Sequence, residues 1–420
     1  MKITYLASAT VLIEHKNTKI LTDPWLVAGE YYGSWDHYPP LEIDYSMFDD
    51  VDYIYITHIH PDHMSKGTLD RIKKDIPIII HNYDAKFVKL NLERWGRKVI
   101  ELNHGAMFHC GDGLNLHVYA ADNCNPQACF KFLGCGKVET KMGSTGIDTL
   151  AVIENGEKAI LNVNDCPYEL SAPVMDRILE RHPAIDLLLV GYAGAGSYPQ
   201  CWESYSNEEK LNVYGQNKKT KLLTMGLNFL KKVKPTHYMP FAGTYTLRGK
   251  LAYLERYKVV PELSEALSHY QENYPYSNGF LLNSCEYFDL ETGQVSNKYK
   301  ATSFEERINY AENVLSQHKY EYEYDDQVTV QAFKDILGEC YTRFDNKRKE
   351  FKFTSDTNVY VYLPEQKMIQ VSCKGAGYKI INQSEFDDNR YVTYRVDPKL
   401  LYRILRGPRY AHWNNAEIGS

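Results

Sequence analysis

Short apolar runs separated by turns fill the first half of the chain, and this pattern predicts paired strands. Three β-branched runs open the chain, at residues 2–6, 10–14 and 19–22. A predicted hairpin over residues 148–163 turns at Asn155-Gly156, a dipeptide typical of hairpin turns. Helical and extended patterns then alternate, at residues 168–181, 185–190, 220–233 and 236–239. Hairpins followed by alternation predict an α/β sandwich with the sheets inside and the helices outside.

A polar, turn-rich segment at residues 296–304 predicts a domain boundary. Beyond it the pattern indicates a mixture of helices and strands, at residues 305–318, 328–344, 359–363, 367–373, 391–396 and 398–406. We therefore expect a larger first domain over residues 1–300 and a smaller α+β domain over residues 301–420.

Composition is that of a globular protein, with 44% hydrophobic and 24% charged residues. The net charge of -6 argues against a nucleic-acid partner, because such surfaces are basic. No apolar stretch reaches the length of a membrane span, and the N-terminus leads into a strand rather than a signal peptide. Nine cysteines, an odd number in a long chain, suit a reducing compartment. We expect a cytoplasmic protein that acts on a small molecule.

The most specific sequence motif in the chain is Thr57-His58-Ile59-His60-Pro61-Asp62-His63. It follows the apolar run 51–56 and precedes a predicted helix over residues 66–74. Imidazole nitrogens and carboxylate oxygens are ligands that Zn²⁺, Fe²⁺ and Mn²⁺ accept. A surface loop rich in histidine is the alternative, but three histidines and an aspartate at this spacing are far more specific. The motif predicts a metal site at the end of a strand.

The same motif resembles the hallmark of the metallo-β-lactamase fold superfamily, and the resemblance covers residues 1–260. It implies an αββα sandwich for the first domain. Four shorter segments resemble the non-Rieske part of CMP-N-acetylneuraminate hydroxylase-like proteins: Ile20-Leu-Thr-Asp-Pro-Trp-Leu26, Gly33-Ser-Trp35, Met239-Pro-Phe-Ala-Gly243 and His412-Trp-Asn-Asn-Ala-Glu-Ile-Gly419.

The resemblance implies a set of metal ligands. His58 and His60 would bind a first metal, Asp62 and His63 a second, and Asp165 would bridge them. Two further positions depart from the superfamily pattern. Asp122 is expected where hydrolases of this fold place a histidine. Phe241, which cannot bind a metal, stands where a late histidine usually completes the second position.

These departures bear on the cofactor. A carboxylate in place of an imidazole gives the first metal position a harder, oxygen ligand, which favours iron or manganese over zinc. A second position without its late histidine keeps an open coordination place for water, substrate or dioxygen. We expect one or two divalent ions of iron, manganese or zinc, and the sequence leaves the number open.

Other residues carry weaker expectations. Asp23 is expected to brace a ligand histidine, although it could be a plain turn residue. Cys124, Cys129 and Cys135 match no strong zinc spacing. Five side chains are expected to contact the substrate, although burial in the core or a surface position would explain them as well: Trp25, Tyr192, His237, Tyr245 and Arg248.

Three functions remain open at this stage. The commonest chemistry of the fold favours a hydrolase, in which a metal-bound hydroxide attacks a sugar-, nucleotide- or phosphate-bearing small molecule, with Asp165 and Asp62 as catalytic residues. The hydroxylase resemblance favours a di-iron oxygenase instead. These residues lack the Rieske signature, so an oxygenase would need a separate electron-donor protein or a reducing substrate. The third hypothesis is a non-catalytic binding protein. The polar and aromatic C-terminal segment, residues 406–415, predicts docking near the cleft.

Overall fold

The structure, a computed structural model, describes residues 1–83, 86–121, 148–350, 352–407 and 412–420. The strands among these residues are β1 (Lys2–Ala7), β2 (Thr10–His15), β3 (Thr18–Thr22), β4 (Trp35–Asp36), β5 (Tyr53–Tyr55), β6 (Ile78–His81), β7 (Val99–Leu102), β8 (Ala106–Gly111), β9 (Leu114–Ala120), β10 (Thr149–Glu154), β11 (Ala159–Asn164), β12 (Leu187–Gly191), β13 (His237–Phe241), β14 (Thr246–Leu247), β15 (Asn278–Gly279), β16 (Tyr287–Asp289), β17 (Gln294–Val295), β18 (Asn358–Leu363), β19 (Lys367–Ser372), β20 (Tyr378–Asn382) and β21 (Tyr391–Tyr394).

The helices among the described residues are α1 (Lys66–Leu69), α2 (Phe87–Arg94), α3 (Tyr168–Arg181), α4 (Asn207–Glu209), α5 (Gly215–Val233), α6 (Leu263–Asn273), α7 (Phe304–Asn313), α8 (Val330–Glu350), α9 (Pro398–Arg406) and α10 (Trp413–Gly419). A π-helical turn, Lys210–Tyr214, joins α4 to α5, and a 3₁₀ segment, Gly249–Tyr257, follows β14. In the described part of the chain, none of the helices combines the length and the apolar character that crossing a membrane requires.

Two sheets pack face to face in the first part of the molecule. One has the order β17-β16-β1-β2-β3-β5-β6-β7, and the other has the order β15-β13-β12-β11-β10-β9-β8. Side chains from both inner faces, among them Ile13, Tyr55, Leu116, Ile160 and Phe288, form one buried cluster between the sheets. The central strands are buried on both faces, and successive side chains join different clusters: in β11, Ile160 lies between the sheets and Leu161 lies under the helices.

Helices cover the outer faces of both sheets. On the first sheet, Leu69 of α1 and Leu92 of α2 pack with strand residues such as Ile54 and Ile78. On the second sheet, residues of α3, α5 and α6 pack against β10 to β13. The result is the αββα sandwich that the sequence predicts, and the expected fold class is confirmed.

A smaller α+β unit follows in the chain. Its sheet has the order β20-β19-β18-β21, and Phe333, Leu337, Leu400 and Leu401 of α8 and α9 form a separate buried cluster with it. Helix α9 has the bounds that the sequence predicts. Strand β20 and the earlier strand β8 are elements that the sequence analysis did not predict.

The predicted helix over residues 66–74 is shorter in the structure, because α1 ends at Leu69. The Ser65 hydroxyl caps its start by accepting the Thr68 N–H. The carbonyl groups of Leu69, Ile72 and Lys73 accept hydrogen bonds from the Arg97 guanidinium. These carbonyls have a side-chain partner, so the chain leaves the helix without losing hydrogen bonds.

Candidate metal centre

The site lies at one edge of the sandwich, where chain segments from both sheets end or begin. The segment Thr57–His63 follows β5, and Asp23 follows β3. From the other sheet, Asp165 follows β11 and Asp148 precedes β10. The β10–β11 pairing ends at Ala151 and Asn162, so Asp148 and Asp165 both lie just beyond the same end of this hairpin. Both sheets therefore supply ligand-type side chains to one place.

His58, His60 and Asp148 form a first cluster of ligand atoms. His58 Nε2 lies 2.9 Å from His60 Nδ1 and 3.5 Å from Asp148 Oδ1. His58 is fully buried, while His60 and Asp148 are partly exposed. Two imidazole nitrogens and one carboxylate oxygen thus converge on a point at the border between protein and solvent.

A second cluster consists of His58, His63 and Asp165. His63 Nε2 lies 3.3 Å from Asp165 Oδ2 and 3.6 Å from Asp62 Oδ2. Because His58 belongs to both clusters, the two candidate metal positions are adjacent. The structure therefore brings together five of the six predicted ligands: His58, His60, Asp62, His63 and Asp165.

Thr57 and Asp23 hold the two buried histidines in defined orientations. Asp23, which is fully buried, accepts the Thr57 N–H at 2.8 Å and the Thr57 hydroxyl at 2.9 Å. The Thr57 oxygen faces His58 Nδ1 at 2.9 Å, and Asp23 Oδ2 faces His63 Nδ1 at 3.0 Å. These contacts place the ring protons on both Nδ1 atoms and leave both Nε2 lone pairs directed into the site. Asp23 thus has the bracing geometry that the sequence predicts.

The buried polar atoms of the site fit a cation. His63 Nε2 and Asp165 Oδ1 are buried and find no hydrogen-bond partner among the residues that the structure describes. Burial lowers the pKa of His63, but Asp165, Asp23 and Asp62 together raise it well above its usual value. The three carboxylates thus stabilise positive charge at this point, and a divalent ion between His63 and Asp165 would supply that charge. The donor set of nitrogen and oxygen atoms suits iron, manganese or zinc.

Asp62 has a second partner that the sequence analysis missed. The Tyr31 hydroxyl donates a hydrogen bond of 2.5 Å to Asp62 Oδ1, and both residues are buried. Next to Tyr31, the Glu30 carboxylate accepts a hydrogen bond of 2.6 Å from the Ser65 hydroxyl. Burial raises the pKa of Glu30 to about 7. Glu30 therefore titrates near neutral pH beside the Asp62–Tyr31 pair.

Two of the five predicted substrate contacts lie inside the protein. Trp25 is fully buried and its indole N–H donates to the Val27 carbonyl at 2.8 Å. Tyr245 stacks on Trp35 with ring centroids 3.6 Å apart, and its hydroxyl donates to the Gly196 carbonyl. Both belong to one buried aromatic cluster, so their packing explains them without a substrate.

The other three predicted substrate contacts, Tyr192, Arg248 and His237, either pack against other parts of the protein or lie away from the ligand cluster. Tyr192 is buried under the helices of the second sheet. Arg248 Nη1 lies 3.6 Å from Asp36 Oδ2. His237 is at the start of β13, whereas Phe241 ends that strand, and the ring of His237 packs near Phe288. Four residues of strand span about 13 Å, so His237 lies at the opposite edge of the sheet from the site.

Asp148 is the main residue of the site that the sequence analysis did not identify. The signal in the sequence is its place directly before β10, at the same end of the predicted hairpin as Asp165. Asp122, the carboxylate predicted for the first position, lies outside the described residues, as do Cys124, Cys129 and Cys135. Phe241 is buried between the sheets, consistent with a side chain that binds no metal.

The fold and the ligand cluster define a metal-dependent enzyme of the metallo-β-lactamase fold. Residues 2–127 match the family model described as a beta-lactamase superfamily domain, which confirms the resemblance predicted from the motifs.

Among curated proteins, the chain is similar to cytidine monophosphate-N-acetylneuraminic acid hydroxylase of Danio rerio. The two are 27% identical over 255 residues, which cover 58% of this chain and 38% of that protein. It is also similar to a Mycolicibacterium smegmatis protein named for a Rieske 2Fe-2S centre, at 25% identity, 58% of this chain and 43% of that protein. The matches thus span about four tenths of the length of these relatives.

Solved structures with this fold have different activities. An isothiocyanate hydrolase from Delia radicum gut bacteria superposes with a TM-score of 0.45 and 16% identity, over 69% of this chain and 98% of that chain. A diiron beta-hydroxylase from Streptomyces venezuelae superposes with a TM-score of 0.42 and 17% identity, over 67% of this chain and 53% of that chain.

Proposed function

We propose that this protein is an iron-dependent oxygenase that hydroxylates a polar small molecule bearing a sugar, nucleotide or phosphate group. The observation that carries the proposal is the first ligand cluster, in which His58, His60 and Asp148 provide two imidazoles and one carboxylate. This donor set is the one that non-haem Fe(II) oxygenases use, with coordination positions left open. The hydroxylase and Rieske names of the relatives agree with it.

In this proposal the first metal position is held by His58, His60 and Asp148. The second is held by His63, Asp165 and Asp62. Iron bound there would supply redox chemistry with dioxygen, and the electrons would come from a separate electron-donor protein or from the substrate. The partial exposure of His60, Asp148 and Asp165 leaves the cluster accessible from one side.

The surrounding side chains have distinct roles. Asp23 and Thr57 accept hydrogen bonds at the Nδ1 atoms of the two buried imidazoles and so direct their Nε2 atoms into the site. Tyr31 holds Asp62 through its hydroxyl. Glu30, whose pKa is about 7, can hold or release a proton at its carboxylate under neutral conditions. The chain thus provides both the ligand geometry and a proton donor beside the site.

The experiment is anaerobic loading of the apoprotein with Fe²⁺, followed by mixing with air-saturated buffer. We expect near-ultraviolet or visible absorption that appears with dioxygen and is reversed by a reductant. Asp148→Ala should lose much of this signal, while Glu157→Ala, on the exposed hairpin turn, should retain it. Iron that binds but gives no response to dioxygen would contradict the oxygenase.

A metal-dependent hydrolase is the second candidate, and the adjacency of the two ligand clusters favours it. Two neighbouring metal ions, held by these residues, would supply an activated water and stabilise charge on the leaving oxygen. In that case Asp165 would orient the attacking oxygen and Asp62 would complete the second position. Turnover of phosphodiester or lactone substrates by zinc- or manganese-loaded protein under strict anaerobiosis would support it. Activity that requires dioxygen would exclude it.

A further inference from the structure

We propose that Asn414, in the last helix α10, is a positioning residue of the metal centre. Its side-chain oxygen accepts the Nε2 proton of His60 and so keeps the His60 Nδ1 lone pair directed at the first metal position. The proposal rests on the proposed function, because it concerns metal binding by His60. It assigns a part in the metal centre to the C-terminal segment of the chain.

The two ring nitrogens of His60 face different partners. Nδ1 lies 2.9 Å from His58 Nε2, which in turn lies 3.5 Å from Asp148 Oδ1, so Nδ1 is the atom that faces the first metal position. A nitrogen that binds a metal must present its lone pair. The single proton of a neutral imidazole then has to sit on the other nitrogen, Nε2. That proton needs an acceptor.

Asn414 provides the acceptor. Its side-chain amide lies 3.4 Å from His60 Nε2, with the amide nitrogen as the nearer atom. The nitrogen and oxygen of an amide are interchanged by a half-turn of the group, and the hydrogen-bond network decides between them. With the proton on Nε2, the favourable arrangement has Asn414 Oδ1 facing His60. His58 and His63 have corresponding partners in Thr57 and Asp23, and His60 has none within the Thr57–His63 motif.

The position of Asn414 is fixed by contacts at both ends of α10. The Tyr32 hydroxyl donates to the His412 carbonyl at 3.1 Å, and the Ser420 hydroxyl donates to the Tyr31 carbonyl at 2.8 Å. A Cβ atom on Gly419 would lie 2.4 Å from Tyr31 Cβ, so the helix packs directly on this loop. The same Tyr31 holds Asp62. Helix α10 therefore contacts His60 directly and Asp62 through one residue.

The test is Co²⁺ binding to the full chain, measured by titration with the visible absorption of bound cobalt as the signal. Asn414→Ala removes the acceptor and should weaken binding about 10-fold to 100-fold, with a changed cobalt spectrum. Asn414→Asp offers a stronger acceptor and should bind at least as tightly as the wild type. Asn415→Ala, the neighbouring residue on the same helix, is the matched control and should leave both affinity and spectrum unchanged.

The outcomes separate this inference from the proposed function. If the wild type binds no cobalt, the metal-centre proposal fails and this inference fails with it. If the wild type binds cobalt but Asn414→Ala binds it equally well, only the role of Asn414 is overturned. Equal losses in Asn414→Asp and Asn414→Ala would show a packing role for the side chain, which also overturns the inference.

Discussion

At the scale of single residues, the sequence predicted the part of the site that is continuous in the chain. His58, His60, Asp62 and His63 lie together because one short loop at the end of β5 carries them all. Asp148 was missed because tertiary packing brings it to His58 and His60, which are about 90 residues away in the chain. The predicted substrate contacts Trp25 and Tyr245 depend on tertiary packing, which places both in a buried aromatic cluster.

Asp148 gives the first residue-scale prediction. If it supplies the carboxylate of the first position, Asp148→Ala should weaken metal binding there by at least about 10-fold, since even loss of a residue that only supports a ligand costs this much. Equilibrium dialysis against a metal-buffered solution measures this directly. Asp122→Ala is the comparison, because the sequence pattern favoured that residue. A large loss with Asp122→Ala and none with Asp148→Ala would contradict the assignment.

His37 gives a prediction of pH dependence that does not involve the metal ligands. Burial lowers the pKa of His37 to about 3, and no described residue forms a hydrogen bond with its Nε2. In the unfolded chain His37 takes up a proton near pH 6.5, whereas in the folded chain it stays neutral until about pH 3. The stability that the folded state gains from neutral His37 is therefore lost as pH falls from about 6.5 toward 3. His37 should therefore contribute a slope of up to about 1.4 kcal/mol per pH unit to the free energy of unfolding.

Urea denaturation at several pH values between 4 and 7 measures this slope. In His37→Gln, which cannot be protonated, the decrease in unfolding free energy toward acidic pH should be smaller than in the wild type. Equal slopes in the two proteins would show that His37 is protonated without cost in the fold.

At the scale of elements, the predicted bounds match the structure best for helices with a regular apolar pattern. They fail where contacts with residues distant in sequence determine where an element begins or ends. The bounds of α3 and α9 are those predicted, because both helices have a regular apolar stripe. Helix α1 ends early, and Arg97, distant in sequence, donates hydrogen bonds to the carbonyl of Leu69 and to those of Ile72 and Lys73 beyond it. Strand β16 was not predicted, since its partner β1 lies near the start of the chain, far away in sequence.

The turn after β13 gives an element-scale prediction. Gly243 has a φ of +74°, and a Cβ atom there would lie 2.2 Å from the Ala193 carbonyl oxygen. Gly156, in the hairpin turn, has a φ of +85° and no atom within 4 Å of such a Cβ. Gly156→Ala should therefore cost only the backbone strain, about 1–2 kcal/mol. Gly243→Ala adds a steric clash with backbone and should cost several kcal/mol, measured by chemical denaturation. Similar losses for both variants would mean that the two loops do not pack as described.

At the scale of the whole molecule, the C-terminal segment packs against the metal centre. Contacts of Asn414 with His60 and of Ser420 with Tyr31 confirm the prediction that residues near the C-terminus dock at the cleft. The sequence could predict this only from the polar and aromatic character of the segment, because the contacts join residues more than 350 positions apart. The division of the chain at residues 300 and 301 stays a prediction.

The central claim is that this chain is an iron enzyme, and elemental mass spectrometry of protein purified without added metal tests it most directly. We predict iron as the main metal, up to about two ions per chain in a two-metal site of this kind. His58→Ala should lose most of it, because His58 holds the first position and its ring borders the second cluster. Protein filled with zinc, or wild type and His58→Ala with equal iron, would contradict the claim.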